Sequence, residues 1–116
     1  YGKIINLSST YAKATQPTRS VYCGIKAGIC HLTEALAVEW GQYGIRINTL
    51  APTAVKTPSR EEYLKKYGQG TIDRVPLGRI AETEDLIGAA IYLSSPASDF
   101  VTGHTLFVDG GFVAHG

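Results

Sequence analysis

Three short apolar runs, separated by longer helical patterns, constrain the fold of this 116-residue chain. Residues 3–8 (Lys-Ile-Ile-Asn-Leu-Ser) are apolar on both faces, as in a strand buried inside a parallel sheet. Residues 45–51 form a second run, which Pro52 is expected to stop. Thr105–Val108 is a third, ending in Asp109, Gly110 and Gly111. Between the first two, residues 21–40 place Ile25, Ile29, Leu32 and Leu36 on one apolar helical stripe. The small residues Ala27, Gly28, Ala35 and Ala37 would let another element approach closely, and Gly41 and Gly44 lie where a helix end and a turn are expected. Residues 53–80 carry prolines, glycines and charge around a short helical piece at 61–67. Thr83 reads as an N-cap followed by acidic Glu84 and Asp85, opening a helix that runs to about Ser95.

Strands joined by long helices make right-handed parallel crossovers, hence an α/β architecture. Both crossover helices are then expected on one side of the sheet, leaving the other face bare, whereas parallel sheets are covered on both faces. The chain contains no methionine and opens on a strand. These readings together predict one unit, residues 1–116, that is the C-terminal half of a doubly wound parallel sheet, with the preceding half outside these residues.

Composition narrows the function classes. With 44% hydrophobic residues, 18% charged residues and a net charge of +1, the chain is not disordered by composition and offers no electrostatic argument for nucleic acid or an anionic membrane. No uninterrupted apolar run approaches the roughly 18 residues of a membrane span. Cys23 and Cys30 fall on one predicted helix about 10 Å apart along its axis, beyond the roughly 7 Å Cα separation of a disulfide. Neither belongs to a CxxC pair, and His31, His104 and His115 are scattered, so no metal site is expected. Reduced cysteines point to a cytoplasmic protein.

Ser9, Tyr22 and Lys26 carry the chemistry. Ser9 follows the carboxyl end of the first strand, the edge where ligands bind in open α/β sheets. Tyr22 and Lys26, four apart, share one helical face. A free phenol titrates near pH 10 and is a poor base at neutral pH. A neighbouring ammonium favours the phenolate, which can then exchange a proton with a substrate hydroxyl or carbonyl. A serine hydroxyl close by can hold the same oxygen.

These residues bring a family into view. The segments Gly2-Lys3-Ile4-Ile5-Asn6-Leu7-Ser8-Ser9, Tyr22-Cys23-Gly24-Ile25-Lys26-Ala27-Gly28 and Glu39-Trp40-Gly41 resemble the short-chain dehydrogenase/reductase family. So do Ile45-Arg46-Ile47-Asn48-Thr49-Leu50-Ala51-Pro52, Pro76-Leu77-Gly78-Arg79, Val101-Thr102-Gly103-His104 and Val108-Asp109-Gly110-Gly111, in family order. The resemblance implies a three-layer Rossmann-type fold, its C-terminal half present here. It implies an NAD- or NADP-dependent oxidoreductase interconverting a secondary alcohol and a ketone or aldehyde. In it Tyr22 is the general acid/base, Lys26 assists Tyr22 and bonds the nicotinamide ribose, and Ser9 positions the substrate oxygen. It further implies that Pro52, Thr53, Val55 and Thr57 border the nicotinamide, and that residues 53–80 form a substrate loop with a lid at 59–75. Thr53 stands where the family has Gly, and Gly24-Ile25 where it often has Ala-Ser. No G-x-x-x-G-x-G occurs in these residues. The ending and Pro-Leu-Gly-Arg resemble sugar-acid and polyol dehydrogenases and oxoacyl-type reductases, with a gluconate-type dehydrogenase as the expectation.

The same site has further candidates. Tyr11 could line the pocket, and Arg19, three residues before Tyr22, could pair with an acidic substrate such as a sugar acid, although a solvated loop arginine is the plainer expectation. Glu61, Glu62, Lys65 and Lys66 read as a solvated helix face, and Asp109 as a structural turn residue. The resemblance implies a homo-oligomer, dimer or tetramer, with the helix at 21–40 packed across an axis. The alternative is a non-catalytic fragment that keeps oligomerisation surfaces but cannot hold a dinucleotide alone.

Overall fold

The computed structural model describes residues 1–116. Strand β1 (Gly2–Leu7) leads through a 3-10 turn (Thr10–Ala12) to helix α1 (Ser20–Trp40), strand β2 (Ile45–Pro52) and helix α2 (Glu61–Ile72). A second 3-10 turn (Thr83–Leu86) opens helix α3 (Ile87–Ser94), followed by strand β3 (Thr105–Val108) and the terminal turn α4 (Phe112–His115). The sheet is parallel throughout, with spatial order β1-β2-β3. As expected, β2 ends at Pro52, which itself pairs with Val108 as the last residue. It sits at the strand end, where a missing N–H costs the ladder least.

The covering of the sheet differs from expectation. Asn6 and Thr49 are register partners on one face, and both bond Thr33 of α1. Lys3 and Arg46 are register partners on the other face, and both reach the segment that follows α3. Lys3 Nζ donates to Ser98 Oγ at 2.9 Å, and Arg46 Nε donates to the Asp99 carbonyl at 2.8 Å. Asn48, on that same face, donates to the Val101 carbonyl at 2.9 Å. Helix α3 packs on β1 and β2 there. The two crossovers therefore put their helices on opposite faces. Since both progress in the same direction across the sheet, they are of opposite hand, and one departs from the right-handed preference. The expectation of a bare face is corrected: Ile47 through Ala51 are all buried, although successive residues point to opposite sides.

Helix α1 also turns differently. The predicted apolar stripe is split: Ile29 and Leu36 are half-buried, whereas Ile25 and Leu32 are more than half exposed. The buried residues of α1 are Thr33 and Ala37. Ala37 is small for a reason: Gly103, at φ +72°, passes so close that a Cβ there would lie 3.2 Å from the Ala37 Cβ. By length and mean hydropathy (1.2), Ser20–Tyr43 could cross a membrane, which the reading of uninterrupted runs missed. Its bonds from Thr33 to both strands tie it to the sheet instead.

Other boundaries moved less. Helix α2 runs on to Ile72 through Gly68 and Gly70. The cap before α3 is Glu82 rather than Thr83, closing a capping box with Asp85. Asp109 accepts from the Gly111 and Val113 N–H groups, the structural turn role expected of it. Cys23 and Cys30 are free and half-buried.

Replacing Thr33 by Val keeps the volume but leaves the Asn6 amide and the Thr49 hydroxyl without their acceptor. We expect a loss of about 1–3 kcal/mol in denaturant unfolding, with Thr33→Ser much closer to wild type. Equal stability of Thr33→Val and wild type would show that these bonds do not hold α1 in place.

Candidate active site

The carboxyl ends of β1 and β2 open into a cleft of about 700 Å³. Ser8 and Ser9 stand at the end of β1, and both are buried. Ser9 Oγ accepts the Tyr11 N–H at 3.1 Å and caps the turn Thr10–Ala12, which leaves its own O–H free to donate. Ser8 Oγ donates to the Lys26 carbonyl at 2.8 Å, pinning the first turns of α1 to the end of β1. Ser8 was not singled out from sequence; only its place beside Ser9 in the motif could have marked it.

Tyr22, in the first turns of α1, lines the cleft with Ser9, Tyr11 and Arg19. Lys26 does not line it, but its ammonium lies 5.5 Å from the Tyr22 ring centroid. The Tyr11 ring stands edge-on between Tyr22 (centroids 6.1 Å) and Phe112 (6.0 Å), and the Tyr11 hydroxyl bonds Gln16. Arg19 Nη2 donates to the Tyr63 hydroxyl at 3.2 Å, joining the start of α1 to α2. The preceding Thr18 takes φ +69°, a conformation non-glycine residues rarely adopt.

The opposite wall comes from the stretch after β2. Pro52, Thr53, Val55 and Thr57 all line the cleft. Val55 pairs with Ala81 in an isolated parallel bridge: Lys56 N donates to Ala81 O at 2.8 Å, and Ala81 N donates to Ala54 O at 3.3 Å. That geometry turns the N–H and C=O of Val55 away from Ala81, and neither makes a hydrogen bond. A free donor and acceptor side by side complement a primary carboxamide, so this wall fits the nicotinamide border expected of it. Thr53 is not in the left-handed region, so its backbone does not need the glycine that the family places there.

Helix α2 and the C-terminal turn close the cleft. Tyr63, Tyr67, Arg60 and Arg74 line it from α2 and the residues just before and after. Phe112 lines it from α4, held by Gly111 at φ +93°, where a Cβ would come within 2.9 Å of Pro76. Sequence reading missed Arg60, Tyr63, Arg74 and Phe112. Their positions in the chain are remote from the motifs, and only the predicted lid hinted at the first three. The other expected surface, Glu61, Glu62, Lys65 and Lys66, is exposed.

A family model described as enoyl-(acyl carrier protein) reductase matches residues 1–113. The chain is similar to gluconate 5-dehydrogenase of Gluconobacter oxydans, 38% identical over 112 residues, covering 95% of this chain and 44% of that protein. It is similar to L-xylulose reductase of Bos taurus, 39% identical over 115 residues, covering 97% of this chain and 47% of that protein. Among solved structures, a gluconate 5-dehydrogenase from Burkholderia cenocepacia in complex with NADP and tartrate matches with a TM-score of 0.92 at 39% identity, covering 98% of this chain and 46% of that one. The chain spans just under half the length of the curated relatives it matches.

The wall that carries Val55 depends on an ion pair. Arg79 clasps Asp85 with bonds of 2.6 and 2.9 Å, and Asp85 also accepts the Glu82 N–H at 2.7 Å. The Arg79 guanidinium first, and the Glu82 N–H second, hold the Asp85 carboxyl well below the usual carboxylate range. A carboxylate held low contributes stability that is present above its unfolded pKa and is lost as pH falls. The stability difference between wild type and Asp85→Asn should therefore be constant at neutral pH and shrink on acidification below about pH 4. Thermal unfolding across pH checks this, and a difference that grows toward acid pH would refute it.

Proposed function

The chain belongs to the short-chain dehydrogenase/reductase family, and we propose that it carries the proton-transfer side of an NAD(P)-dependent oxidoreductase interconverting a secondary alcohol and a carbonyl. The observation that supports this most is one cleft at the strand ends that collects Ser9, Tyr22 and the free main chain of Val55. The nicotinamide, when bound, accepts or returns the hydride. In this reading Pro52, Thr53 and Thr57 flank it, and the N–H and C=O of Val55 bond its carboxamide. Ser9 donates its free O–H to the substrate oxygen. Tyr22 takes the proton from the alcohol at its phenol oxygen in one direction and returns it to the carbonyl oxygen in the other. Lys26 sets its ammonium beside the ring and offsets the negative charge that proton loss leaves there. It also bonds the nicotinamide ribose. Tyr11 orients Tyr22 by edge-on packing.

The enzyme is further proposed to be cytoplasmic, which its two free cysteines support. Helix α1 exposes Val21, Ile25, Leu32 and Val38, which supports self-association as a dimer or tetramer. The same exposed residues favour a second reading, an assembly unit without turnover.

Tyr22→Phe in the full chain should lower turnover of a secondary alcohol by about 10²- to 10⁴-fold while NAD(P)H binding, read by nicotinamide fluorescence, is retained. Wild-type turnover undiminished in Tyr22→Phe would remove the assigned acid/base. If wild type turns over neither alcohols nor carbonyls yet sediments as a homo-oligomer, the assembly reading replaces the enzymatic one.

A further inference from the structure

Three of the chain's five arginines, Arg19, Arg60 and Arg74, line the cleft that holds Ser9 and Tyr22. No aspartate or glutamate lines it. None of the three has a carboxylate partner, whereas Arg79 is paired with Asp85, and Arg46 is spent on the Asp99 and Gly44 carbonyls. A guanidinium cannot shed its charge at any pH the protein meets, so the cleft carries three uncompensated positive charges. Concave walls of one sign focus the field and concentrate oppositely charged ligands.

The three side chains are also held in place. The Arg74 guanidinium lies over the Phe112 ring at 4.3 Å from its centroid, and that of Arg60 lies over Tyr63 at 4.8 Å. Arg19 is bonded to the Tyr63 hydroxyl. Stacking occupies the face of a guanidinium and leaves its edge N–H groups to bind. That edge matches a carboxylate with two parallel bonds. Four residues from different parts of the chain, Arg19, Tyr63, Arg74 and Phe112, thus build one positively charged wall beside the proton-transfer residues.

We propose that this wall recognises the substrate's carboxylate, so that the substrate class is a hydroxy acid and its oxo acid rather than a neutral alcohol. The inference rests on the oxidoreductase reading above and specifies the substrate of that site. Arg74 and Arg19 receive the carboxylate, while Ser9 and Tyr22 engage the carbinol of the same molecule.

The test compares D-gluconate, D-sorbitol and D-sorbitol 6-phosphate as substrates of the full chain, with D-gluconate binding measured separately by calorimetry. Arg74→Gln and Arg19→Gln should each lower kcat/KM for D-gluconate by about 10- to 100-fold, the loss of a charge-assisted bond. The ratio of kcat/KM for D-gluconate to that for D-sorbitol should fall, the KM for NAD(P) should stay the same, and Arg74→Lys should recover part of the loss. Higher ionic strength should weaken D-gluconate and not D-sorbitol. Equal use of D-gluconate and D-sorbitol, with no effect of either substitution, overturns the proposal while leaving the oxidoreductase reading intact. A raised KM for NAD(P) in Arg74→Gln overturns it by placing the arginines on the dinucleotide. A preference for D-sorbitol 6-phosphate overturns the carboxylate assignment. Binding of D-gluconate that Arg74→Gln abolishes, with no cofactor turnover in wild type, upholds the anion site and removes the oxidoreductase reading instead.

Discussion

The Thr33 hydroxyl lies fully buried, accepts from the Asn6 amide and the Thr49 hydroxyl, and donates to the Ile29 carbonyl of its own helix. One oxygen thus joins α1 to two strands at once. Ser8 adds a third tie where β1 ends, through the Lys26 carbonyl. Buried polar bonds are directional, and leaving one unmade costs more than making it returns. They fix the rotation of α1 about its axis more tightly than an apolar seam would. That rotation sends Tyr22 into the cleft and turns Ile25 and Leu32 outward. The same fixed helix therefore presents Tyr22 to the cleft and an apolar face to solvent.

The second crossover completes the arrangement from the other side. By placing α3 and residues 98–101 on the face opposite α1, it covers β2 on both sides. The strand end that carries Pro52 and Thr53 is then rigid, and the bridge between Val55 and Ala81 extends that rigidity into the wall of the cleft. The Arg79–Asp85 pair holds the segment in which Ala81 lies. The Asp109 turn and Gly111 bring Phe112 back from the C-terminus to stack beneath Arg74. The cleft is thus assembled from both ends of the chain.

Much of this was legible from local pattern. The runs at 3–8, 45–51 and Thr105–Val108 fall on the three strands, because an apolar run short enough for a strand and bounded by turn residues leaves few alternatives. The spacing of Ser9, Tyr22 and Lys26 placed the first two in the cleft, since a strand end and a helical turn have fixed reach. Other features misled for identifiable reasons. The stripe through Ile25 and Leu32 looked like a core face, because periodicity shows that a face is apolar and not what it meets. Thr83 looked like a cap, but Glu82 can accept the Asp85 N–H while Asp85 accepts the Glu82 N–H, a reciprocity that residue preference alone does not rank.

By itself, then, the sequence determined the three strands, the three longer helices, the parallel α/β class and the meeting of Ser9 and Tyr22 at one cleft, all set by contacts within a few turns of chain. Tertiary structure decided which face each helix covers, which side of α1 is buried, and that Arg19, Arg60 and Arg74 converge without a carboxylate among them. These depend on residues far apart in sequence, whose bonds and stacking exist only once the sheet has brought them together.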